Sequence, residues 1–290
     1  MGWRYDCLFE TELEPDAEDL SRYWRAQPSM IPVGKMGYRR SVTLAGDRME
    51  CDIYPVFGRD EMQKARAAKQ NITPEKQKRL NDERARRRIV QLADANFTEQ
   101  DIHLTLTYKH ETTLPACRKD VRNFLLRVKR YREKHGMDEL KYIYSIEGRQ
   151  EISKGMPVSR IHIHMLMNGG LSRELLEEMW AMGYANADRL QPTERGLEEI
   201  ASYIVKEARA TPGARKYSCS RNLTQPQKRT TDAKTSNRIV KAIAHDIRNE
   251  AKAEMEKLYP RYSFVDCKVY TSDQLDGVYI RVLMRRKRRT

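Results

Sequence analysis

A period of two runs through DIHLTLTYK, where Ile102, Leu104 and Leu106 alternate with His103, Thr105 and Thr107 as one buried face of a strand requires. After Pro115 the period lengthens. In ACRKDVRNFLLRVKRYREKHG, Val121, Phe124, Leu125 and Val128 approximate one apolar stripe of a helix that Gly136 ends. ELKYIYSIEGR and RIHIHMLMNGG return to strand on either side of a turn-rich connection. LSRELLEEMWAMG is a compact helix with Ser172 as its cap and Gly183 as its stop, and YANADRL is a short strand or an irregular edge. GLEEIASYIVKEARA is a further helix, anchored by Leu197, Ile200, Ile204 and Ala208.

The flanking regions are less regular. RRSVTLAG and MECDIYPVF can form a short hairpin across the turn containing Gly46 and Asp47. From Thr73, TPEKQKRLNDERARRRIVQLADANF offers a cap and a first-turn proline. It predicts a strongly basic helix with Leu80, Ile89 and Leu92 facing a core. TPGARKYSCSRNLTQPQKRT is turn-rich and basic, either a loop over a ligand or an ordinary connector. TSNRIVKAIAHDIRNEAKAEMEKLYPRY supplies one helix ending near Pro260, and YSFVDCKVYTSD with GVYIRVLMRRKRRT a final hairpin and basic tail. This order predicts an α+β fold with a central antiparallel sheet and flanking helices. The expected organisation is an N-terminal extension over 1–72, a basic helical segment over 73–98, a core over 99–225, and a helix and hairpin over 226–290 packed on or extending that core.

With 39% hydrophobic and 33% charged residues in 290, the chain can bury a core and keep a heavily charged exterior, so disorder is not the default. Lys and Arg number 55 against 41 Asp and Glu, a formal charge of +14 whose field attracts a polyanion, nucleic acid first. There is no apolar run long enough to span a bilayer, and MGWRYDCLFETELEPDAEDL lacks the apolar core of a secretory signal. A cytoplasmic protein without a membrane partner is expected. Cys7, Cys51, Cys117, Cys219 and Cys267 are odd in number and scattered, which fits neither a disulfide framework nor a zinc ribbon. Cys117 and Cys267 read as small core residues.

Candidate chemistry begins at RIHIHML. His162 and His164 emerge on one face of the strand while Ile161, Ile163 and Met165 point to the other, so two imidazoles can hold one cation. Glu147, ending KYIYSIE, can add a carboxylate oxygen. This set leaves positions for water and phosphate oxygen and suits Mg²⁺ or Mn²⁺ in phosphoryl transfer, although zinc could use the same ligands. His103 is an auxiliary ligand candidate or a polar edge residue. Tyr203 and Lys206 lie three positions apart on one helical face, so a tyrosine nucleophile would have a cation nearby. The plain alternative is a half-buried aromatic and a surface lysine. Lys76, Arg79, Arg86 and Arg87 on the basic helix, with Arg215, Lys216 and Arg221 in the basic loop, are candidate DNA contacts or a solvated surface. Tyr217 is an auxiliary tyrosine, a structural aromatic or a DNA contact.

Taken in order, IHLTLT, RIHIHML and YIVK resemble the HUH endonuclease superfamily, specifically the rolling-circle replication initiators of plasmids and bacteriophages. The resemblance covers Ile102 to Lys206. Leu104, Thr105, Leu106 and Thr107 match the hydrophobic-threonine motif, His162 and His164 the metal motif, and Tyr203 with Lys206 the catalytic motif. It implies a histidine pair on a middle strand faced by a helix bearing the nucleophile. It also implies metal-dependent nicking of one DNA strand with a 5′-phosphotyrosyl link and a free 3′ hydroxyl, reversible into joining. Expected partners are single-stranded origin DNA or a hairpin of it, with a polymerase and a helicase supplied from elsewhere, since no G-x-x-x-x-G-K-[ST] loop occurs. Only Tyr203 stands on the catalytic helix, which implies a one-tyrosine enzyme. A related transposase or relaxase, or a non-catalytic nucleic-acid-binding protein, would share many of these features.

Overall fold

The computed structural model describes residues 8–9, 11–13, 37–70, 72–148, 161–206, 216–272 and 275–287. The chain is α+β with two antiparallel sheets flanked by helices, where the sequence pattern suggested one central sheet. It divides into two compact units, one formed by residues 1–82 and 226–290, the other by 83–225. No helix among the described residues is long and apolar enough to cross a membrane.

In the first unit the strands are β1 (Thr11–Leu13), β2 (Gly37–Ala45), β3 (Arg48–Val56) and, after the second unit, β9 (Gln227–Thr235), β10 (Tyr262–Thr271) and β11 (Tyr279–Arg286). Their order in the sheet is β1-β10-β11-β3-β2-β9. β2 and β3 join through Gly46 and Asp47, and Gly46 takes φ 60°, a conformation open to glycine at the first position of a two-residue hairpin loop. The C-terminal hairpin pairs with this N-terminal one, Val282 opposite Cys51 and Met284 opposite Met49. Helices α6 (Asn237–His245) and α7 (Asn249–Leu258) cover one sheet face, burying Val240, Ile243, Ala251 and Met255 against Ile53, Val269, Ile280 and Val282. One continuous helix was expected here. Asp246 breaks it because its carboxylate accepts from the backbone N–H of Asn249 at 3.0 Å, satisfying a donor at the start of α7. Helix α1 (Arg59–Gln70) also belongs to this unit, while α2 (Pro74–Asn96) starts in it and ends in the second.

The second unit contains β4 (Ile102–Thr107), α3 (Leu114–Lys134), β5 (Tyr142–Glu147), β6 (His162–Met167), α4 (Arg173–Trp180), β7 (Ala185–Arg189), α5 (Glu198–Lys206) and β8 (Ser218–Cys219). Its sheet runs β7-β4-β6-β5-β8, so β6 is the middle strand. The alternation of β4 sends Ile102, Leu104 and Leu106 to one face, where they join Ile163, Met165 and Met167 under α3 and α4. The centre of that face is apolar. On the other, Ile143 and Leu166 pack against Ile89 and Ala93 of α2 and Ala201 and Ile204 of α5. Two β6 residues further on, the same face becomes polar at His164 and then His162.

Local chemistry explains the helix ends. The Thr113 hydroxyl caps α3 by accepting from Ala116 N–H at 3.3 Å, and the Ser172 hydroxyl caps α4 by accepting from Leu175 N–H at 3.3 Å. The expected stop of α4 at Gly183 is two residues late, because Ala181 already turns left-handed at φ 58°. Gly183 serves another purpose: a side chain there would collide with the Thr107 carbonyl, which accepts from the Trp180 indole at 2.8 Å. Among the cysteines, Cys51, Cys117 and Cys267 are buried thiols, and Cys219 is exposed. Cys7 lies outside the described residues.

Candidate metal centre and nucleophile

β5, β6 and β4 place the candidate ligands through their register. Glu147 pairs with His162, while His164 lies between Ser145 and Thr105. Because alternate residues share a face, all three ligand candidates project from the same side, just past the apolar row of Ile143 and Leu166. A carboxylate oxygen of Glu147 and one ring nitrogen each of His162 and His164 lie within 4.8 Å of one another. No other such group of three occurs among the described residues. His164 is 5% exposed, so its position is set by packing.

His164 Nε2 faces Glu147 Oε2 at 2.8 Å, and its Nδ1 lies 3.4 Å from Thr105 Oγ1. If Nδ1–H donates to the threonine, Nε2 and the carboxylate are two acceptors at close range, which calls for a proton or a cation between them. Two imidazoles and a carboxylate therefore fit a divalent cation by donor chemistry and convergence. Thr105, noted in the sequence only as part of a motif, acquires a role in orienting the ring.

Tyr203 stands on α5 with its ring centroid 5.0 Å from that of His164 and the planes at 78°. Its neighbours Ala201 and Ile204 are buried, whereas Tyr203 is 44% exposed, so a phenol held by a fixed helix reaches a surface that substrate can approach. Lys206 is the last residue of α5; its side chain lies outside the described residues. Ser202, missed in the sequence, accepts a 2.8 Å hydrogen bond from Arg86 Nε on α2. Asp94 of α2 accepts from Leu197 N–H at 2.9 Å at the other end of the helix. These bonds tie the tyrosine-bearing helix to α2 at both ends.

His103 stacks on His164 with centroids 5.8 Å apart and planes at 16°, but it is not in the three-ligand group. Burial, and then the neighbouring His164, push its pKa down to about 4, so the ring is neutral at pH 7. Tyr217 packs beside the Ile89 and Leu223 cluster, and burial raises its phenol pKa. Among the basic candidates, Lys76 and Arg79 belong to the first unit and Arg86, Arg87, Lys216 and Arg221 to the second. Lys216 and Arg221 line a groove of about 850 Å³ together with Tyr217. Arg215 lies outside the described residues.

Residues 101–210 match the family model described as replication-associated protein ORF2/G2P. Over that stretch the chain is homologous to a Rep/HUH-family replication protein domain. The matched stretch contains Thr105, Glu147, His162, His164 and Tyr203, so the candidate cluster falls inside it. Among curated proteins and solved structures, none matches the chain. Homology to a Rep domain and a Glu/His cluster able to hold a divalent metal support an HUH-like nuclease in general terms.

Proposed function

We propose that this protein nicks and rejoins single-stranded DNA through a 5′-phosphotyrosyl intermediate and thereby initiates rolling-circle replication. The observation that carries this reading is Tyr203 standing edge-on at 5.0 Å to His164, one of three convergent ligand candidates, within a stretch matching a replication-associated family. Glu147, His162 and His164 would hold Mg²⁺ or Mn²⁺. When bound, such an ion supplies polarisation of the scissile phosphate.

The Tyr203 phenolate oxygen attacks phosphorus, a new P–O bond forms, and the bond to the 3′ oxygen of the preceding nucleotide breaks. The departing strand takes a proton and keeps a 3′ hydroxyl for a polymerase. Because the phosphotyrosyl link remains a phosphodiester, attack by a later 3′ hydroxyl reverses the step and joins the ends. Lys206, one turn beyond Tyr203, stabilises charge on the phosphate. His103 contributes a neutral ring behind His164, and the middle-strand position of the histidines suits an HUH-like core.

Single-stranded origin DNA or an origin hairpin is the substrate, a helicase and a polymerase are the partners, and the cytoplasm is the compartment. The test is a denaturing gel with DNA labelled on the downstream side of the nick. A covalent adduct is expected with metal and wild-type protein, and none with chelator or Tyr203→Phe. Retained DNA binding without any adduct on native origin DNA would favour a non-catalytic binding protein. Adduct formation on paired element ends or on a transfer origin would instead indicate a transposase or a relaxase.

A further inference from the structure

The groove of about 850 Å³ in the second unit lies along α3 and the outer edge of β5. The sequence arranges one wall simply. Val121, Leu125 and Val128 turn into the core, so Arg118, Arg122 and Lys129, at spacings of four and seven, follow an exposed side of the helix. Lys216 and Arg221 add positive charge from the segment around β8. Arg118, Arg122 and Arg221 have no ion pair among the described residues, whereas Lys129 pairs with Glu133 at 3.6 Å. Glu139 is the carboxylate in the lining.

Aromatic rings stand among these cations. Tyr142 and Tyr144 have ring centroids 5.9 Å apart, and Tyr217 lines the same groove. β8 pairs only with Ile143 and Tyr144, so among the described residues the end of β5 from Ser145 to Glu147 has a free outer edge. The groove reaches that end, since Ser145 and Gly148 line it on either side of Glu147.

Cations for phosphates and aromatic faces for bases together describe a polynucleotide site, and its volume suits an unpaired strand rather than a duplex. We propose that this groove is a track for single-stranded DNA, holding the strand that flanks the scissile phosphate as it leaves Glu147 over the edge of β5. This assignment rests on the nicking reading for its direction toward the metal ligands, but strand binding can be measured without cleavage.

The experiment uses full-length Tyr203→Phe protein in chelator, with fluorescence anisotropy of labelled oligothymidylate and of its duplex with oligoadenylate over a range of salt. Arg118→Glu/Arg122→Glu changes two exposed positions and is expected to weaken single-strand binding at least tenfold. The salt slope of log K should fall by about 1.4, from two lost phosphate contacts at ~0.7 each. Bromouracil placed on one flank of the nick should crosslink to Tyr142, Tyr144 or Tyr217 and thereby assign the flank. Affinity within twofold of the parent with an unchanged slope, duplex binding equal to single-strand binding, or crosslinks to none of these tyrosines would overturn the assignment. The two readings fail separately: loss of the wild-type adduct on origin DNA removes the nicking reading, and unchanged binding by the double variant removes the track.

Discussion

Ser202→Ala isolates how much the nucleophile depends on the helix that carries it. The Ser202 hydroxyl accepts from Arg86 Nε at 2.8 Å, and Ser202 is 9% exposed, whereas Arg86 is exposed. A hydrogen bond to a charged donor is worth about 1.5–3 kcal/mol when both groups are removed from water. Here the guanidinium can rehydrate, so the expected stability loss is about 1 kcal/mol, measured by urea unfolding. The rate effect is larger because Tyr203 is the next residue, and a misplacement of about 1 Å costs on the order of 100-fold. Single-turnover adduct formation on a denaturing gel should slow by about 10- to 100-fold, with DNA affinity within twofold of wild type. Arg86→Ala should produce a similar slowing, and the double variant should be no slower than either single one, as for two halves of one contact. Ser202→Ala at the wild-type rate, together with weaker DNA binding by Arg86→Ala and a salt slope reduced by ~0.7, would refute the tether and make Arg86 a phosphate contact.

Glu147→Gln removes the anionic donor that faces His164 at 2.8 Å, so Mn²⁺ affinity by titration calorimetry should fall at least ~10-fold; unchanged affinity would remove Glu147 from the ligand set. Gly148→Ala is expected to cost about 1–3 kcal/mol in urea unfolding, because Gly148 has φ 135° and an added Cβ would lie 2.9 Å from Ile161 Cα. A loss below about 0.5 kcal/mol would show that the close approach relaxes freely. Tyr38→Phe leaves the buried Val278 N–H without its 3.2 Å acceptor, which should cost about 1–3 kcal/mol at neutral pH. Burial pushes the Tyr38 pKa up to about 12 from an unfolded value near 10, so its contribution is present below pH 10 and is lost as pH rises toward 12. Stability against pH should therefore fall more steeply in wild type than in Tyr38→Phe over that interval, by up to about 2.7 kcal/mol; parallel curves would contradict it.

The strands and helices that carry the candidate site were readable because their periods are clean. β4 alternates Ile102, Leu104 and Leu106 with polar residues, and the two-residue spacing of His162 and His164 places them on a shared face of any strand. Ser202 was not readable, since its partner Arg86 is 116 positions away and arginines on a basic helix look alike until one finds a hydroxyl. The groove had a signal in the spacing of Arg118, Arg122 and Lys129, but its far wall comes from β8, whose two residues show no strand period. β9 was hidden for a related reason: QKRTTDAKT is polar on both faces, and it is a strand because β2 supplies hydrogen-bonding partners. Helix α1 is dominated by long polar side chains, while Ala65, its buried contact, is too common a residue to mark an element. The pairing of β11 with β3 lies beyond local pattern altogether, because both strands merely present alternating apolar positions and nothing near either names the other.

That pairing makes an interior strand of the first sheet wait for a partner synthesised more than two hundred residues after it. β2 and β3 emerge from the ribosome early, yet β3 meets β11 only after the whole intervening unit and β10 have been made. The unit spanning 83–225 holds all five strands of its sheet in one uninterrupted stretch and can close its core while the remainder is still being translated. During that interval the β3 edge is a row of unpaired backbone groups flanked by Met49, Cys51 and Ile53, a surface exposed to association between nascent chains. Yield in expression should therefore depend more on how quickly the segment from 226 through β11 follows than on any substitution in the candidate site.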